Sequence, residues 1–149
     1  MKKFEFRLQS ALRVRHTQLE MQRHKLQALV LQEQQIQHAL TTLAEERRDA
    51  IAWTQNADVV TSPAVRALSA YMLGSEARGN AYREQLSMQA RLIQDQRIKV
   101  LEAERNVRLL EKLRDKRFHE WNQELEREIE TTAQDAWVAA QRGRALHSG

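Results

Sequence analysis

The chain has no cysteine, one proline, four glycines and an aromatic content of only 5%. Without cysteine there can be no disulfides and no thiolate metal sites. One proline and four glycines are too few breaks for a turn-rich architecture, so very few elements are expected. Charged residues make up 30% of the chain against that small aromatic share, which suits long solvated helices and not a thick core. The longest apolar run, Ala136–Trp137–Val138–Ala139–Ala140, falls far short of the ~20 residues needed to cross a bilayer. Phe4 and Phe6 alternate with charged Glu5 and Arg7, so no apolar signal-peptide core is expected at the start.

What the chain does have is a long 4-3 repeat of mostly apolar positions. It runs Leu8, Leu12, Arg15, Leu19, Gln22, Leu26, Leu29, Glu33, Ile36, Leu40, Leu43, Arg47, Ala50. After a break near Pro63 it resumes as Leu68, Met72, Ser75, Gly79, Tyr82, Leu86, Gln89, Ile93, Gln96, Val100, Ala103, Val107, Leu110. A period of 3.5 keeps one narrow seam on one side of a supercoiled helix, so the expected fold is all-α, an antiparallel two-helix coiled coil or helical hairpin. Polar seam residues such as Gln22, Glu33, Gln89 and Gln96 set register and cost stability.

The pattern predicts a single coiled-coil domain, with helix one over about 4–57, a bend over 58–63 and helix two over about 63–142. In the bend, Asn56 and Asp58 favour turns, Val59 and Val60 are β-branched, and Ser62–Pro63 suits the cap and first turn of the next helix. Gly143 and the last residues are expected to fray. Folding at about residue 60 sets Leu8 opposite the region near 112, so everything after about Leu113 is expected to overhang as a single helix. There Leu110, Arg114, Phe118, Trp121, Leu125 and Ile129 include several steps of four, a stutter that straightens the supercoil. An unpaired helix bearing Phe118, Trp121, Leu125, Ile129 and Trp137 either packs on a partner, self-associates or is partly disordered, and a partner is the favoured outcome.

Chemistry is sparse. Gly74 to Gly79 has phosphate-loop glycine spacing, but Asn80 and Ala81 stand where Lys and Ser or Thr are required. The five histidines are never paired at i, i+4, so surface histidines are expected and not a metal site. Carboxylates such as Glu45–Glu46 lie on helix faces without a cleft to tune them. Neither an enzyme, a cofactor nor a small-molecule substrate is expected. The net charge of +4 is mild, and Lys2, Lys3, Arg7, Arg13 and Arg15 gather at the start, which reads first as an ordinary solvated face and otherwise as a positive tip for an acidic partner, nucleic acid or an anionic membrane surface. Arg114, Lys116 and Arg117 beside Phe118 and Trp121 lack the concave surface on which bases stack, which disfavours nucleic acid. Trp53, Tyr71 and Met72 flank the bend, either stapling the helices or forming a patch for a partner.

Two end segments carry a family resemblance. Lys3–Phe4–Glu5–Phe6–Arg7–Leu8–Gln9, followed by Leu12, Arg15 and Glu20, resembles the start of flagellar FliJ proteins. Val107, Leu110–Glu111–Lys112–Leu113 and the basic run to Arg117 resemble that family's Leu-Glu-Lys-Leu basic stretch, with Glu124, Glu128 and Asp135 following. Trp121 stands where the family often has tyrosine. The resemblance implies a non-enzymatic stalk of the type III export apparatus, cytoplasmic and peripheral at the inner membrane, whose termini enter the ring of the export ATPase. It places Phe4, Phe6, Arg13, Arg15, Arg114, Arg117, Phe118, Trp121 and Trp137 at the ATPase end. By general position, Trp53, Tyr71 and Met72 face the membrane export gate or export chaperones. An injectisome stalk protein is a close alternative, and a structural homo-oligomeric coiled coil is another.

Overall fold

The computed structural model describes residues 2–148. It contains two long helices packed against each other, α1 over Gln9–Asn56 and α2 over Ser62–His147, and no strand among the described residues. No helix is long and apolar enough to cross a membrane among those residues. Two compact units divide the chain, one formed by residues 19–102 and the other by 1–18 with 103–149.

Residues 19–102 form an antiparallel helical hairpin closed by the bend. On α1 the positions from Leu19 to Ala50 at 4-3 spacing are buried or half-buried, and on α2 the same holds from Leu68 to Val100. Leu19, Leu43, Ile93 and Val100 are the buried apolar members. Ser75, Gln89 and Gln96 are buried beside them. The two glutamines act as cross-links. Gln89 Nε2 donates to the Leu29 carbonyl at 2.8 Å and to Gln32 Oε1 at 3.0 Å. Gln96 Nε2 donates to the Gln22 carbonyl at 3.0 Å and to Gln22 Oε1 at 2.7 Å. A change of register would break these four bonds together, so they favour the observed register over neighbours that apolar contacts alone leave nearly degenerate. Arg47 contrasts with them: its Nε is buried without a hydrogen-bond partner, which is a local cost.

The bend spans the residues between Asn56 and Ser62. Its cap differs from the expected one. Thr61 Oγ1 accepts from the Ala64 N–H at 3.3 Å and the Thr61 carbonyl accepts from the Val65 N–H at 3.1 Å, so Thr61 and not Ser62 caps α2. Pro63 then falls at the second helical position, where the missing N–H still costs nothing because the first turn's donors have no intrahelical acceptor.

In the other unit, Leu12 of α1 is buried and Ala103 and Val107 of α2 are buried at their expected seam positions. Arg15, expected in the seam, is exposed. His16 Nε2 lies 3.4 Å from Glu111 Oε1. The first helix begins at Gln9, not near Phe4, and the segment before it runs non-helical over residues 2–6. This corrects the expected overhang. Extended chain advances about 3.3 Å per residue against 1.5 Å in a helix, so a few residues cover roughly twice as many residues of α2. The segment reaches Trp121, whose Nε1 donates to the Lys2 carbonyl at 3.3 Å. The uncovered arm therefore begins after half-buried Leu125 and not after Leu113, and every residue from 126 to 148 is exposed. Helix α2 also continues through Gly143 to His147, with Arg144 and His147 in its last turn where cations favour the carboxyl end.

Gly79 is buried in the hairpin, and a Cβ there would lie 3.6 Å from Leu43 Cδ2 and from the Arg83 guanidinium, ordinary contact distances. Gly79→Ala should therefore stabilise the protein by about 0.5–1 kcal/mol by removing a helix-interior glycine. Gln96→Ala should destabilise it by about 1–2 kcal/mol through loss of both cross-helix bonds. Thermal and denaturant unfolding of the two variants checks both signs.

Candidate partner-binding site

The non-helical start of the chain and α2 build one aromatic cluster. The ring of Phe4 meets Phe118 edge-on, with centroids 5.2 Å apart at 79°, and Trp121 at 5.9 Å. Phe118 and Trp121 stack at 5.8 Å and 27°. Their spacing of three places both on one helix face, and the alternation Phe4–Glu5–Phe6–Arg7 sends the two phenylalanines inward while the charged residues stay exposed. Phe118 nevertheless remains 48% exposed. The cluster is thus a half-covered apolar surface, of the kind that marks binding sites when rimmed by charge.

Charge rims it on both elements. Phe6 and Leu8 share a hollow with Leu113 and Arg117, bordered by Glu5 and Arg7. Leu8 and Leu113 complete this surface. Neither was expected at the site: Leu8 stood as the first seam position of helix one, and Leu113 as the point where the overhang begins. Arg117 reaches Glu120 at 3.7 Å, while Arg114 is half-buried with Nε 3.9 Å from Asp115. Arg13 and Arg15 are exposed, and Arg15 donates to Gln18 Oε1 at 3.2 Å. Neither arginine has an ion-pair partner among the described residues, which leaves both available to an anionic surface.

Trp137 does not join this cluster. It stands on the exposed arm, 65% exposed. The bend residues also divide. Trp53 and Tyr71 line an apolar hollow of about 290 Å³ with Ala50, Ala64, Ala67 and Leu68. Trp53 is 67% exposed, so it forms surface and does not staple the helices. Tyr71 is half-buried with the Arg78 guanidinium 6.0 Å from its ring centre, and Met72 is half-buried in the seam. No group of His, Asp and Glu that could hold a metal ion exists among the described residues. Gly74 and Gly79 both lie inside α2, so the phosphate-loop spacing has no loop to act through.

Comparison with known protein families, with curated proteins and with solved structures finds no match to this chain.

Phe4→Ala should release the leading segment and expose Phe118 and Trp121. We expect a loss of about 1–2 kcal/mol in stability, a red shift of tryptophan emission and faster tryptic cleavage at Lys2, Lys3 and Arg7. The Trp121→Phe variant serves as the reference that assigns the emission change to Trp121.

Proposed function

We propose that this chain is a non-enzymatic stalk of the bacterial flagellar type III protein export apparatus, binding the export ATPase ring with its clustered ends. One observation carries the reading. The two segments that resemble FliJ proteins lie far apart in sequence, yet Phe4 of the first packs on Phe118 and Trp121 beside the second. The two stretches of the resemblance thus meet in one surface bordered by Phe6 and Arg117, with Arg114 one helical turn before Phe118, Arg13 and Arg15 exposed further along α1, and Trp137 on the arm beyond.

Such a stalk acts by differential contact. An asymmetric helical end inside a ring touches each ATPase subunit differently, and biases those subunits between states only by the difference in its affinity for them. Aromatic anchors supply the buried contact, and exposed arginines supply orientation and attraction to acidic ring residues. The bend surface around Trp53 and Tyr71, at the far end of the hairpin formed by 19–102, would meet the export gate or export chaperones at the cytoplasmic face of the inner membrane. The chemistry of export stays with the ATPase, and the stalk needs no cofactor.

The test is a titration of the intact protein into purified flagellar export ATPase. Binding with a change in hydrolysis or ring assembly is expected, and Arg13→Glu with Arg15→Glu should weaken it about tenfold or more without altering the melting temperature. No binding, with hydrolysis and assembly unchanged, would contradict the reading. Binding by an injectisome ATPase and not the flagellar one would reassign the stalk to that system.

A further inference from the structure

The arm beyond Leu125 is helical to His147 and exposed along its whole length. One of its faces is nevertheless apolar. Ile129, Ala133, Ala136, Ala140 and Gly143 continue at 4-3 spacing, so they line one side of the helix. Ile129 is 58% exposed and Trp137, at the edge of this side, 65%. A shallow concavity runs along part of it, lined by Ile129, Thr132, Ala133 and Ala136. Such a face is costly in water, and the charges beside it specify what covers it.

Those charges reverse along the arm. Glu126, Glu128, Glu130 and Asp135 precede the midpoint, with Arg127 the only base among them. Beyond Trp137 come Arg142, Arg144 and His147, and no acid. Glu130, Trp137 and Arg144 are evenly spaced at seven residues, so all three stand on the same edge of the apolar face. Neither Glu130 nor Arg144 has an ion-pair partner among the described residues. Placing Arg144 in the last turn suits the helix dipole, but any position in that turn would do so equally. The dipole does not explain why it shares an edge with Trp137 and Glu130.

We propose that the arm pairs antiparallel with the arm of a second copy of this chain, about a two-fold axis at Trp137. An isologous contact requires a surface complementary to itself. Reversing the arm about Trp137 sets Glu130 against Arg144 of the second copy, and Arg144 against that copy's Glu130. Trp137 then meets its own counterpart. In that register Ala133 lies level with Gln141, between Ala140 and Gly143 of the second copy, and Ala136 lies level with Val138, between that copy's Ala136 and Ala140, so small residues face one another and let the two helices approach closely. The acidic half of each arm lies along the basic half of the other, and the helix dipoles oppose. A parallel pair offers none of this, since positions 130 and 144 stay about 21 Å apart along the axis.

This pairing does not depend on the export reading. If that reading holds, the dimer and the ATPase ring compete for Trp137, and the dimer is the form of the protein before it meets the ring.

The test uses the full chain without any other protein, followed by sedimentation equilibrium at low salt across micromolar concentrations. The wild type should pass reversibly from monomer to dimer. Glu130→Arg and Arg144→Glu should each weaken the dimer about tenfold or more, because each replaces two attractions by two repulsions. An equimolar mixture of the two variants should restore it, because every contact in the mixed dimer again joins opposite charges. Helicity measured by circular dichroism should be unchanged in both. A wild type that stays monomeric to several hundred micromolar overturns the proposal. So does a mixture no tighter than the separate variants, which is also the outcome expected of a parallel dimer.

Discussion

Everything in this protein depends on how a two-stranded seam is held in register. Two helices can cover only a narrow stripe of each other, so each layer buries little and neighbouring registers differ little in apolar contact. Buried glutamines remove that degeneracy. Gln89 and Gln96 each reach a main-chain carbonyl and a side-chain acceptor on α1. The cost is a thinner apolar core, with Ser75 and Gly79 also occupying buried positions. The protein has traded part of its stability for a defined alignment.

Alignment matters because the functional surface is assembled across the sequence. Within the unit formed by 1–18 and 103–149, Phe4 finds Phe118 and Trp121 only if the start of the chain lies at the correct height on α2. The change from helix to extended chain before Gln9 adjusts that height, since the extended segment covers α2 faster than a helix does. Beyond Leu125 none of the described residues covers α2, and the arm's apolar and charged residues are exposed. The buried amides thus fix register within the hairpin of 19–102, and the leading segment fixes where the bare arm begins within the other unit.

Much of the fold was legible in the sequence, because a 3.5-residue period is a geometric statement. The seam positions from Leu19 to Ala50 and from Leu68 to Leu110 are those that become buried or half-buried. The departures have local causes. Thr61 caps α2 in place of Ser62 because its hydroxyl reaches the Ala64 N–H, a choice of one residue that propensities do not resolve. The helical reading of residues 4–8 extended the periodicity past its last supported layer, where the aromatic alternation of Phe4 and Phe6 already had the two-residue period of extended chain. That oversight also made the overhang too long and left Phe118 and Trp121 unpaired. The site residues were legible as residue types, but not their grouping, which depends on a contact between positions over a hundred residues apart. Trp137 and Arg13 were named with the cluster and stand outside it.

The clustered ends and the bare arm are the surface we propose to meet the export ATPase. Hydrogen exchange of the intact protein, with and without that ATPase, tests this most directly. Alone, and dilute enough to be monomeric, the protein should show protected amides in the paired seam, and those from 126 to 148 should exchange faster than the rest of α2. On adding the ATPase, new protection should appear in the arm and around Arg13 and Arg15. Protection that appears only at the bend, or nowhere, would contradict the account.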